Sequence, residues 1–142
     1  MKKGFSLIEL ILVISVISAV LCFSIEQIRP LKESLAVRTF AQQLLGDLNF
    51  IKLRSIQRGT VYELNCVKDS YTISYFDNNT GCLIKERSEP LNNSISIEKP
   101  VNFRFSNSGF PCPGYIGTVQ IRSLTGKTSK VVVSSVGRIR IE

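Results

Sequence analysis

The stretch Met1–Ile25, MKKGFSLIELILVISVISAVLCFSI, determines how the rest of the chain is organised. Two lysines and a glycine precede an apolar run of 21 residues from Phe5 to Ile25, interrupted only by serines, one cysteine and one acid. A bilayer core needs roughly 20 apolar residues in a helix that rises about 1.5 Å per residue. The run therefore predicts a transmembrane helix, with Lys2 and Lys3 on the cytoplasmic side by the positive-inside rule.

Glu9 is the unusual residue of this run, because a carboxylate deep in an apolar helix costs about 3 kcal/mol on insertion scales. Such a charge normally has a partner, and the sequence places no basic residue on the same helix face. Cleavage of the peptide bond after Gly4 would create a cation, the α-amino group of Phe5. That amine could reach Glu9 of a neighbouring chain, so Glu9 predicts a contact between subunits.

The segment Gly4-Phe5-Ser6-Leu7-Ile8-Glu9 resembles the prepilin-peptidase motif of type IV pilins and type II secretion pseudopilins. In that family the leader is removed after the glycine, the new N-terminal phenylalanine is N-methylated, and the glutamate directs filament assembly. The resemblance implies that residues 1–4 are a leader and that Glu9 serves assembly. It also implies a prepilin peptidase and methyltransferase as partners acting at Gly4 and Phe5.

Three other interpretations of the N-terminal stretch explain fewer of its residues. A secretory signal peptide has a shorter apolar core and no acid, and an ordinary membrane anchor leaves Glu9 unexplained. A lipoprotein signal needs a small residue before its cysteine, and Leu21 precedes Cys22.

The rest of the chain changes its apolar spacing at Gly59. Over residues 26–59 apolar residues recur every three or four positions, which predicts an amphipathic helix that ends at this glycine. Beyond it they alternate with polar residues, and turn clusters such as Asp77–Gly81 separate short strands. The sequence therefore predicts an α+β fold, with a long helix packed on one or two antiparallel sheets. The helix is transmembrane over 5–25 and amphipathic over 26–59, and the β domain covers 60–142.

Three later stretches resemble the FimT/GspH group of minor pilins and pseudopilins: Leu53–Gly59, Phe103-Arg104-Phe105 with Gly109 nearby, and Gly137-Arg138-Ile139-Arg140. The chain departs from this group in having no tryptophan. The resemblance implies a subunit that is anchored in the inner membrane and then assembles with other pilins into a type IV pilus, at the initiation or the tip of the filament. That filament would lie in the periplasm or at the cell surface. The alternative is a type II secretion pseudopilin that aids protein export.

The composition argues against catalysis. The chain has no histidine, which removes histidine-based triads and zinc ligands, and we expect no cofactor or metal. Outside the apolar run lie Cys66, Cys82 and Cys112, which allow at most one disulfide with three possible pairings. We therefore expect a structural or binding protein rather than an enzyme.

The positive charge concentrates near the C-terminal end. The formal net charge is +7, and from Pro100 onward six basic residues face the single acid Glu142. Arg138 and Arg140 are two apart and would share one strand face, while Ile139 and Ile141 would point to the core. Two guanidinium forks can hold successive phosphates. The Gly137–Arg140 ending also resembles the motif linked to DNA binding and natural transformation in the FimT group.

Two interpretations of this basic ending follow. The first is DNA binding by a face whose residues would be Arg138, Arg140, Arg122, Lys127 and Lys130. The second is an ordinary solvated strand face, whose charges discourage pairing with other strand edges.

Overall fold

The computed structural model describes residues 6–142, with the side chains of residues 23–30 excepted. One helix, α1, runs from Leu7 to Arg58 and is followed by eight strands. The chain divides into two compact units, of which the second covers Glu33–Glu142. The proposed leader, including Gly4, and Phe5 lie outside the described residues.

In the first unit, α1 exposes its large apolar side chains. Every leucine, isoleucine and valine from Leu7 to Leu21 is at least 44% exposed. Ser15 and Ser18 satisfy their hydroxyl groups by donating to the carbonyl oxygens four residues earlier, both at 2.8 Å. The segment therefore offers a nearly unbroken apolar surface.

Within the part of the chain that the structure describes, no helix is both long and apolar enough to cross a membrane. The finding does not support the transmembrane helix predicted over residues 5–25.

The C-terminal half of α1 ends as the sequence predicts. Gly59 has φ +63°, a left-handed conformation that suits glycine. Its N–H donates to the Ile56 carbonyl, and the Thr60 N–H donates to the Ser55 carbonyl at 3.2 Å. These two bonds form a Schellman motif, which satisfies carbonyl groups that the helix itself leaves unpaired.

The eight strands form two four-stranded sheets in which all the paired strands are antiparallel. Sheet A has the order β3-β2-β1-β5, and sheet B has the order β4-β6-β7-β8. The strands are β1 Tyr62–Val67, β2 Ser70–Asp77, β3 Cys82–Pro90, β4 Ile95–Ile97, β5 Val101–Phe105, β6 Gly117–Ser123, β7 Thr128–Val133 and β8 Ile139–Ile141. The predicted α+β architecture is confirmed, with two sheets rather than one.

One hydrophobic core joins α1 of the second unit to both sheets. Leu44, Leu48 and Ile51 of the helix are fully buried against alternate residues of the strands. The buried positions of the strands include Leu64, Ile73, Phe103, Val119, Ile121 and Val131. Because side chains alternate along a strand, the intervening residues form the outer faces of the two sheets.

Candidate functional site

Strand register places most of the predicted basic residues on the outer face of sheet B. Gln120 of β6 lies opposite Lys130 of β7, and Arg122 is two residues further along β6. Lys130 exchanges two backbone hydrogen bonds with Glu142, so Arg140 lies on the same face two residues before it. The buried valines and isoleucines of these strands occupy the opposite face.

Arg138 precedes the last strand instead of belonging to it. The prediction that both arginines belong to one strand is therefore wrong for Arg138, because β8 begins at Ile139. Arg138 is exposed and bonds to Ser134, the residue after β7: its carbonyl accepts from the Ser134 N–H at 3.0 Å, and its N–H donates to Ser134 Oγ at 3.1 Å.

The predicted inward direction of Ile139 and Ile141 is only half correct. Ile139 is partly buried and packs against the core. Ile141 is 37% exposed, because β8 is a three-residue strand at the edge of sheet B. The last strand is thus held mainly by its pairing with β7.

Lys127 lies in the turn that joins β6 to β7. Its N–H donates to Ser123 Oγ at 3.2 Å, and its carbonyl accepts from the Ser123 N–H at 2.8 Å. The Thr125 N–H of the same turn donates to the Glu33 carboxylate of α1 at 3.0 Å. This hydrogen-bonded contact with Thr125 lowers the pKa of Glu33 below its ordinary value.

Two carboxylates partly neutralise the basic residues of this face. Arg140 contacts the Glu142 carboxylate at 2.7 Å, and Arg122 contacts the Glu98 carboxylate at 3.3 Å. Among the residues that the structure describes, Lys127, Lys130 and Arg138 have no ion-pair partner. The outer face of sheet B, together with Lys127 and Arg138, is called the basic face below.

Sequence reasoning missed a polar network on the outer face of sheet A. Glu63 is buried, with 8% of its surface exposed. It accepts from Asn102 Nδ2 at 2.7 Å and from Arg104 Nε at 2.9 Å. The guanidinium group of Arg104 also lies 4.3 Å from the centroid of the Tyr115 ring, a cation–π contact. The hydrogen bond to Glu63 raises the pKa of Arg104.

This network removes Arg104 from the candidate site, although the sequence counts it among the six C-terminal basic residues. A guanidinium group with two internal partners has little left to offer an external phosphate. Alternation places Glu63 and Arg104 on outer faces, but their pairing depends on the register between β1 and β5.

All four cysteines are free thiols in the structure. Cys66 is buried, and burial raises the pKa of its thiol to about 12, so it is an inert core residue. Cys22 and Cys82 are exposed, and Cys112 is half-buried.

Glu9 is the assembly residue that the sequence predicts. It is exposed in the first turn of α1, where an acid suits the positive end of the helix dipole. Its carboxylate has no ion-pair partner among residues 6–142, within the limits of the described side chains.

Comparisons with known proteins agree on the fold. No protein-family profile matches the chain, and no curated protein matches it either. Two solved structures of the minor pseudopilin EpsH, from the type II secretion system of Vibrio cholerae, have TM-scores of 0.63 and 0.62. Their sequences are 13% and 15% identical to this chain. Each match covers 75% of this chain, and the matches cover 92% and 95% of the EpsH chains.

The type IV minor pilin FimU of Pseudomonas aeruginosa gives a similar result. Its TM-score is 0.60 at 15% identity, with 75% of this chain and 87% of that chain covered. A long N-terminal helix followed by antiparallel sheets is therefore common to these proteins and to this one. The chain has the fold of the minor pilins and pseudopilins.

Proposed function

We propose that the protein is a minor pilin or pseudopilin that assembles with other pilins into a type IV pilus, at the initiation or the tip of the filament. The observation that carries the proposal is the apolar surface of Leu7–Leu21 with Glu9 inside it. That much exposed apolar side chain is stable in water only when another surface covers it. The helices of neighbouring subunits would provide that surface, in a filament located in the periplasm or at the cell surface.

The proposal includes processing by a prepilin peptidase after Gly4 and N-methylation of Phe5. The α-amino group so formed would pair with Glu9 of a neighbouring subunit and offset its desolvation. Mass spectrometry of the filament form should find a chain that begins at N-methylated Phe5. A chain that retains Met1–Gly4 would contradict this part of the proposal.

Replacement of Glu9 tests the assembly role directly. Glu9→Val should strongly reduce incorporation into filaments, because the partner amine then lacks its carboxylate. Ser18→Val is the matched control, since it removes an exposed polar group from the same helix without removing a charge. Equal incorporation of both variants would remove the assembly role of Glu9.

A type II secretion pseudopilin is the second candidate, and the likeness to EpsH favours it. In that case the filament would aid the export of folded proteins. Deletion of the gene separates the two candidates, because a secretion subunit should reduce export, and a pilus subunit should reduce surface filaments. The genes beside this one would give the same answer at less effort.

We further propose that the basic face binds DNA through its phosphates, as a step in DNA uptake. The cations extend from Lys127 to Arg138 along β7, over about 20 Å at 3.3 Å per residue. This distance equals about six phosphates of one strand at 3.4 Å each. No recognition helix accompanies the face in the described residues, so we expect little sequence preference.

The salt dependence of DNA affinity tests the proposal that the basic face binds DNA. Each phosphate neutralised on duplex DNA contributes about 0.9 to the slope of log affinity against log salt. Arg138→Gln with Arg140→Gln should lower the slope by about 1.8 and weaken binding.

The matched control is Lys68→Gln with Lys85→Gln, which removes the same charge from exposed positions around sheet A. It should leave the slope close to that of the unmodified protein. If the unmodified protein binds no DNA at low salt, DNA binding fails and the filament role stands alone.

A further inference from the structure

Lys52 connects the C-terminal half of α1 to the turn that precedes the last strand. Its ammonium group is half-buried, and Nζ donates to the Gly137 carbonyl oxygen at 2.8 Å. No carboxylate pairs with it among the described residues. A charged donor on a neutral acceptor makes a stronger bond than a neutral pair does. Lys52 therefore holds a residue 85 positions away in the sequence.

The turn fits closely against its surroundings at Gly137. This glycine is buried and has φ +74°, a conformation that other residues rarely adopt. A Cβ atom there would lie 3.2 Å from Pro111 Cδ and 3.4 Å from Lys52 Nζ. The helix, the loop that contains Pro111 and the turn thus meet without spare space.

The peptide group between Gly137 and Arg138 is fixed at both of its polar ends. Lys52 Nζ donates to its carbonyl oxygen, and its N–H donates to Ser134 Oγ at 3.1 Å. Because a peptide group is planar, these two bonds set the orientation of the whole plane. The Cα atom of Arg138 lies in that plane. The two bonds therefore fix the position from which the Arg138 side chain extends.

We propose that Lys52 is a positioning residue for DNA binding: by holding the Gly137 carbonyl group, it presents Arg138 to a phosphate. The inference rests on the DNA binding proposed for the basic face. Lys52 itself is half-buried and its donor is engaged, so it acts through Arg138 and not on the phosphate. A backbone held in place before binding loses less conformational freedom when the phosphate contacts the Arg138 side chain.

The first test replaces Lys52 in the full-length chain in detergent solution, with a duplex oligonucleotide as the probe. Lys52→Met keeps an unbranched side chain but removes the donor. We expect binding to weaken about tenfold, the loss of one charge-assisted contact, and the salt slope to fall by about 0.9. Amide hydrogen exchange at Arg138 should become faster, while exchange in β6 and β7 stays unchanged.

A double-mutant cycle separates positioning from a direct charge effect. If Lys52 acts through Arg138, then Lys52→Met adds almost nothing to Arg138→Gln. Lys68→Met is the charge-matched control and should leave the affinity near that of the unmodified chain. Additive losses in the cycle would overturn the role of Lys52, while DNA binding by the basic face would stand.

A second variant covers the case in which Lys52→Met does not fold. Ser134→Ala removes the other hydrogen bond to the same peptide group and changes no charge. It should also weaken DNA binding and should add little to Arg138→Gln. Affinity unchanged by Ser134→Ala would contradict the proposed presentation of Arg138. Failure of the unmodified chain to bind DNA would instead overturn the proposed function itself.

Discussion

The outer faces of the two sheets carry ion pairs of the same chemistry in different surroundings. On sheet A, the Glu63 side chain is only 10% exposed and holds Arg104 beneath Tyr115. On sheet B, the Glu142 side chain is 48% exposed, and its partner Arg140 is 59% exposed. The first arginine, 30% exposed, is held by a buried carboxylate, and both members of the second pair are open to solvent.

Burial decides what such a pair does. In water, an exposed pair contributes about 0–1 kcal/mol, and a competing anion easily replaces its carboxylate. A buried carboxylate that loses its partner costs about 3–5 kcal/mol, so the pair stays closed. The arginine of sheet A therefore contributes to stability, whereas the paired arginines of sheet B contribute little to it and stay open to solvent.

The largest expected effect concerns stability. Arg104→Met should lower the free energy of unfolding by about 3 kcal/mol, because Glu63 then remains buried without its cation. Urea denaturation measures the change. Arg122→Met, the matched change on the exposed pair with Glu98, should cost less than about 1 kcal/mol. Equal losses from the two variants would show that burial does not distinguish the faces.

A smaller effect, a gain in DNA affinity, is expected from replacing Glu142. Glu142→Gln removes the acid that competes with phosphate for Arg140, so DNA affinity should rise about threefold, equivalent to ~0.7 kcal/mol. Titration of duplex DNA at low salt measures it. Glu89→Gln makes the same charge change beside Arg87 of sheet A and should leave the affinity unchanged. A fall in affinity on Glu142→Gln would contradict the open state of Arg140.

The smallest expected effect is a pH dependence at the β6–β7 turn. Hydrogen bonding to Thr125 lowers the pKa of Glu33 below its ordinary value of 4.5, so folding favours the ionised carboxylate. The contribution of Glu33 to the free energy of unfolding is therefore complete above pH 4.5, and it disappears as the pH falls through the lowered pKa. Denaturation midpoints measured between pH 6 and pH 3 should show it. In Glu33→Gln this part of the pH dependence should be absent, and a profile identical to that of the unmodified chain would contradict the assignment.

The local spacing of apolar and turn residues was sufficient to predict most of the fold. The helix end at Gly59 follows from a glycine after an amphipathic segment, and the strands follow from alternation between turn residues. The same alternation placed Arg140 on an outer face. These features depend on residues that are near one another in the sequence.

Contacts between residues that are distant in the sequence could not be predicted from it. The pair of Glu63 with Arg104 depends on the register of β1 against β5, and Lys52 meets Gly137 only when the whole domain has closed. The exposure of Ile141 depends on which strand forms the sheet edge. No single pattern carries such information, because many registers are compatible with the same alternation.

The bond between Lys52 and Gly137 also has a consequence for the order of folding. Closing a flexible loop of 85 residues costs about 4 kcal/mol of chain entropy, far more than one hydrogen bond returns. The contact therefore cannot start folding and forms only after the hairpins have brought its ends together. A chain still emerging from the ribosome, or one truncated before its last strand, would have a nearly complete core but no ordered turn at Gly137.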